Sequence, residues 1–146
     1  MVAVLGARVL AEARGWIGTP YVHQASCKGA GADCLGLLRG VWRAVKGDEP
    51  CLVPAYTPDW AEPGRHEVLL EAAAAWLVPK PLAEAAPGDV LVFRMRAGSI
   101  AKHLGIQGDT GDRASFVHAY SGYAVVESPL SDPWRRRIAG RFAVPV

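Results

Sequence analysis

Residues 101–120 read "AKHLGIQGDTGDRASFVHAY". Two runs of strand-forming residues flank "GDTGD", 108–112, whose glycines and aspartates favour a turn. Side chains alternate along a strand. His103, Gly105 and Gln107 therefore share one face of the first run, and Leu104 and Ile106 the other. In the second run Phe116, His118 and Tyr120 share a face. A hairpin centred between Thr110 and Gly111 would set His103 directly opposite His118, with Cβ atoms about 5 Å apart.

Similar short segments surround this pair. "GDVLVFRM" (88–95), "YAVVESPL" (123–130) and "RRIAGRFAVP" (136–145) are β-branched or aromatic and are bounded by turn residues. The first half of the chain has a different period. Residues 2–16 are predicted to form a helix with Val4, Val9, Leu10, Ala13 and Trp16 on one face, stopped by Gly18 and Pro20. A second helix is expected over 34–46, with Leu35, Leu38, Val41, Trp42 and Val45 at helical spacing, and a third over 65–78. The segment 19–33 reads as a loop of small residues, and the proline-rich 47–64 as an irregular connection. Helices followed by roughly five strands predict an α+β fold, an antiparallel sheet packed against helices. Neither half is long enough for a comfortable core alone, so residues 1–146 are read as a single domain.

Composition narrows the functions. Hydrophobic residues make up 51% and charged residues 21%, which suits a chain that folds without a partner. A net charge of +2 is too small to make nucleic acid the main ligand. The three cysteines, Cys27, Cys34 and Cys51, are odd in number and form no CxxC pair, against a disulfide framework or a zinc ribbon. Arg8, Glu12 and Arg14 interrupt the apolar N-terminus, so neither a signal peptide nor a membrane span is expected. Synthesis in the cytoplasm with reduced thiols is the expectation. Action outside would then need another route of delivery.

Cys34 stands where the small-residue loop turns into a helix. Asp33 can cap that helix, and the free N–H groups and dipole at its start favour a thiolate. Glycines 29, 31 and 36 leave room for a substrate. Read from spacing alone, Cys34 is equally a reactive thiol or a small buried hydrophobe. A nucleophilic cysteine needs a base held by a third polar group. His103 can serve as that base, with His118 fixing its tautomer and ring. His23 and His66 read as exposed or locally satisfied. Cys34, His103 and His118 also form a possible zinc set. That reading ranks lower, because Cys27 and Cys51 lack ligand spacing and no carboxylate is evident nearby.

"GTPY" (18–21), "GADCLGL" (31–37), "PGDVLVF" (87–93), "KHLGI" (102–106) and "FVHA" (116–119) occur in that order. The set, running from about residue 9 to residue 127, resembles the NlpC/p60 family of bacterial cell-wall cysteine peptidases. The resemblance implies a papain-like fold with Cys34 as nucleophile, His103 as general base and His118 as the orienting residue. It also implies Tyr21 beside the nucleophile, Asp33 near the substrate, and no metal or organic cofactor. The implied reaction is hydrolysis of an amide in peptidoglycan stem peptides, often between D-glutamate and a diamino acid. Two departures lie near the expected cleft. "HQA" (23–25) replaces the common Trp-Gly-Gly, and Leu35 replaces a common serine. The ending "VVESPLSDPWRRRIAGRFAVP", 125–145, resembles the variants carried by phage tails and gene transfer agents. That implies tail-tip proteins as partners and a particle tail as the vehicle to the wall. A non-catalytic tail or wall-binding module and a thiol acyltransferase are the alternatives on the same fold.

Overall fold

The computed structural model describes residues 2–50 and 67–146. Helix α1 (Val2–Gly15) leads into a loop holding the two-residue strands β1 (Ser26–Cys27) and β2 (Gly31–Ala32). Helix α2 (Cys34–Lys46) follows, then α3 (Val68–Trp76) and β3 (Val78–Lys80). The remaining strands are β4 (Val90–Arg94), β5 (Ala101–Gln107), β6 (Ser115–Ala119), β7 (Val125–Pro129) and β8 (Ile138–Ala143). A 3₁₀ turn (Gly111–Arg113) joins β5 to β6, and a short helix α4 (Asp132–Arg135) precedes β8. Strands β3 to β8 form one antiparallel sheet in the order β3-β8-β4-β5-β6-β7. This is the α+β class expected, with six strands where about five were anticipated.

Alternation along the strands gives the sheet two different faces. Val90, Val92, Leu104, Ile106 and Val117 meet Val9, Leu10 and Ala13 of α1 and Leu37 and Val41 of α2 in the main core. Each such aliphatic side chain contributes about 1.5–3 kcal/mol when fully buried. Val4, expected on the inward face of α1, is 64% exposed; the apolar stripe there begins a turn later. The approach of α1 to α2 depends on Gly40, where a Cβ would lie 2.0 Å from Trp16 Cζ2. On the opposite face Leu91, Phe93, Phe116 and Leu130 form a second, aromatic cluster, with Met95, Trp134 and Ile138 against it.

The hairpin differs from the expected register. Ile106 pairs with Val117 and Gln107 with Phe116, so the turn is centred between Gly111 and Asp112. The reason lies in the 3₁₀ turn: Gly111 enters it at φ 79°, which moves the reversal one residue along the chain. His103 and His118 are therefore not directly opposite. Gly105 is the neighbour of His118 instead, and a Cβ there would lie 3.2 Å from His118 Cβ. A slip of one residue on one strand would have turned one histidine to the wrong face; the actual shift preserves both faces. The third helix ends earlier than expected, because Val78, its anticipated last residue, opens β3 and pairs with β8. Residues 51–66, with most of the proline-rich connection, Cys51 and His66, lie outside the described residues.

Candidate active site

Asp33 joins the loop to α2. Its backbone is extended, and its Oδ1 accepts from the Gly36 N–H at 2.7 Å, the N-cap expected from sequence. Its Oδ2 accepts from the Gln24 N–H at 2.7 Å and lies 3.7 Å from His23 Nδ1. Both oxygens of this buried carboxylate thus hold the scaffold beside the cysteine. Gln24 has φ 64°, the left-handed region that glycine occupies without strain. Gly36 lets α2 meet the loop: a Cβ there would lie 1.8 Å from the Ala25 carbonyl oxygen.

Cys34 opens α2 and is buried. Backbone N–H groups of Leu104, Leu35 and Cys34 itself reach its sulfur and favour negative charge. Burial, and then the charge of Asp33, outweigh them and push the thiol up to about 12. The helix N-terminus contributes as supposed, but desolvation is the larger effect. Tyr21 pairs with Ala32 in an isolated parallel bridge. Its phenol is held above the ordinary value by burial first, then by the nearby charges of Cys34 and Asp33.

The two histidines lie on the aromatic face. His103 Nε2 and His118 Nδ1 are 2.9 Å apart, and His118 Nε2 is 2.9 Å from Ser128 Oγ on β7. Around His103 stand Phe93, Tyr120 and Trp134, with ring centroids at 5.8, 5.6 and 5.9 Å. Burial, with some repulsion from His118, pushes His103 down to about 3, and burial lowers His118 to about 4. Both imidazoles are neutral at pH 7. Each then has one N–H and one lone pair, so a bond between them makes one ring the donor and the other the acceptor.

The structure therefore brings Cys34, Tyr21 and Asp33 together, and His103 with His118. Leu104, the chain neighbour of His103, is buried in the same core as Cys34, and its backbone N–H favours charge on the sulfur. Cys34 and His103 share no hydrogen bond among the described residues. Since His118 occupies Nε2, the ring nitrogen of His103 left for a thiol is Nδ1. His23 is partly exposed and bonds to Gln24. Among the described residues no group of three or more His, Cys, Asp or Glu side chains is placed to hold a metal ion. No helix among them is long and apolar enough to cross a membrane. Sequence reading missed Ser128 and Trp134. The turn at Gly122, by setting His118 opposite Val126, puts Ser128 on the same face of β7 as Val126; a register count across that turn finds it. Trp134 lies in α4, and no strand period points to it.

No protein-family model matches this sequence. Gamma-DL-glutamyl hydrolase of Bacillus subtilis is 30% identical over 135 residues, which cover 90% of this chain. The chain spans only 28% of that protein's length. The crystal structure of the NlpC/p60 domain of the peptidoglycan hydrolase SagA superposes with a TM-score of 0.62 at 26% identity, covering 97% of this chain and 98% of that one. A lipoprotein-like NLP/P60 protein from Staphylococcus aureus gives a TM-score of 0.64 at 20% identity, covering 98% of this chain and 42% of its own. Cysteine at the start of α2, paired histidines on a packed antiparallel sheet and end-to-end likeness to SagA's domain make this chain similar, in fold and in the residues of its candidate site, to NlpC/p60 domains.

Proposed function

We propose that this protein is a cysteine peptidase that hydrolyses an amide in peptidoglycan stem peptides. One observation carries the reading: two buried, hydrogen-bonded histidines on β5 and β6 stand on the strands against which α2, opened by Cys34, is packed. Both partners are neutral at rest, so the proton moves as the bond forms. His103 Nδ1 takes the Cys34 proton while sulfur attacks the scissile carbonyl. The Cys34 N–H, with the Tyr21 hydroxyl, stabilises the oxyanion. His103 then gives its proton to the leaving amine, and water releases the acyl-enzyme. The absence of a Cys34–His103 bond at rest is compatible with this, because catalytic hydrogen bonds often tighten only around substrate. Asp33 sets the geometry by holding the loop to α2.

The SagA likeness supports a wall substrate, and the γ-glutamyl hydrolase likeness supports a bond on the γ side of D-glutamate. Delivery in a phage-like tail remains part of the proposal, supported by the resemblance of residues 125–145, with tail-tip proteins as partners. Recovery of the protein in purified particles tests it. The reaction itself is tested by incubation with purified muropeptides and mass spectrometry of the products. Release of a free diamino-acid amine is expected. Unchanged muropeptides would favour a binding module, and a new amide without hydrolysis an acyltransferase. The proposed steps use no metal, so EDTA should leave turnover unchanged.

A further inference from the structure

His118 has two ring nitrogens and two partners: Nδ1 faces His103 Nε2, and Nε2 faces Ser128 Oγ, each at 2.9 Å. We propose that Ser128 is a positioning residue, which fixes the tautomer of His118, and through it that of His103, by accepting a hydrogen bond from His118 Nε2. The inference rests on the reading of His103 as base.

Hydrogen-bond polarity along the row supplies the reason. His103 can take a proton at Nδ1 only if that atom carries a lone pair, which puts its own hydrogen on Nε2. That hydrogen must then be donated to His118 Nδ1, which must be bare. The hydrogen of His118 therefore sits on Nε2 and needs an acceptor. Ser128 Oγ is the partner in place. The opposite polarity is equally allowed by geometry. If Ser128 donated, His118 would carry its hydrogen on Nδ1 and donate to His103 Nε2. His103 would then hold its hydrogen on Nδ1, where the thiol proton has to go. The two polarities differ in catalytic competence, so a Ser128 hydroxyl that accepts from His118 Nε2, rather than donating to it, holds the row in the competent one. His118 is 2% exposed, so solvent is a poor substitute for this acceptor. The low pKa values of both rings support the scheme, since a neutral ring must choose one tautomer and an imidazolium need not.

Ser128→Thr and Ser128→Val test this directly. Thr and Val nearly share a shape and differ in one hydroxyl, so packing changes cancel in the comparison. Turnover on one defined muropeptide should be close to wild type for the Thr variant. For the Val variant kcat should fall roughly tenfold, the scale of one buried hydrogen bond, with KM little changed. Long-range ¹H–¹⁵N spectra give a readout independent of activity. Wild type and Ser128→Thr should show His118 protonated at Nε2 and His103 at Nε2, and Ser128→Val a mixture or reversal. Equal turnover and unchanged ring nitrogens in the Val variant would overturn the inference. So would a wild-type His118 protonated at Nδ1. Failure of the peptidase reading is a separate result: Cys34→Ala would then retain hydrolysis, whatever the ring nitrogens of His118 report.

Discussion

On one face of the sheet β5 places two buried polar side chains, Gln107 and His103, and their surroundings treat charge in opposite ways. At one end Gln107 accepts from Arg141 Nη1 at 3.1 Å, and the same nitrogen bonds Asp89 Oδ2 at 2.8 Å. Lys80 Nζ lies 2.8 and 2.9 Å from the two Asp89 oxygens, and Arg141 Nε donates to the Leu82 carbonyl. Charge is buried there together with its counter-charge. At the other end His103 meets uncharged rings and a second imidazole, with no counter-charge among its recorded partners. Burial costs the same kind of penalty in both places. It is offset by pairing at the first and avoided by losing the proton at the second. The neighbours decide which: Lys80 of β3, Asp89 just before β4 and Arg141 of β8 bring ions to the Gln107 end, while Phe93 of β4, His118 of β6 and Trp134 of α4 bring rings to His103.

The largest break should come at the neutral end. Cys34→Ala and His103→Asn should abolish turnover on a defined muropeptide while circular dichroism stays native. His118→Ala should lose on the order of 10⁴-fold, the scale of a misplaced tautomer. His118→Asn or His118→Gln, which keep a hydrogen bond to His103, should retain a larger fraction. Equal and complete loss in His103→Asn and His118→Asn would show that the two rings do not divide the roles. Normal digestion by Cys34→Ala would end the cysteine-peptidase reading.

The charged end should break differently. Asp89→Ala leaves Arg141 and Lys80 beside each other without an anion, and such losses cost about 3–5 kcal/mol. Urea unfolding should show that loss. The surviving folded fraction should keep its kcat, because Asp89 touches nothing at the histidine pair. A fall in kcat without a fall in stability would mean that the two ends are coupled.

Acid should separate the ends more gently. Both histidines have folded values, about 3 and about 4, below the ordinary 6.5. The unfolded chain therefore binds more protons between those limits, and stability rises with pH across that window. It is fully present above about pH 6.5 and declines on acidification, at up to about 1.4 kcal/mol per pH unit for each histidine. The double variant His103→Asn/His118→Asn should flatten the curve of urea midpoint against pH from 6.5 to 4. An unchanged slope in that variant would place the acid sensitivity elsewhere.

Much of this was legible in the sequence, and the misses have local causes. Period-two alternation put His103 and His118 on one face, and Asp33 announced the start of α2. The register escaped because "GDTGD" names a turn but not the 3₁₀ geometry that Gly111 adopts. β3 escaped because it has three residues and contains Pro79, which suits a sheet edge and reads as a strand breaker. The resting state of Cys34 escaped for a broader reason. Helix position is a local property and pointed to a thiolate. Desolvation depends on Leu104 and the core around it, which come from far along the chain.

A protonated, buried thiol at the start of α2 is also a chemically quiet one. Small electrophiles and peroxides react with accessible thiolate, and Cys34 offers little of it. Exposed Cys27 should consume such reagents first, without loss of turnover. Alkylation of Cys34 by iodoacetamide should keep accelerating with pH through 10, with no plateau. Before substrate arrives, turnover should therefore survive peroxide that has already oxidised Cys27, with the sulfur of Cys34 gaining reactivity as a bound carbonyl takes up its charge.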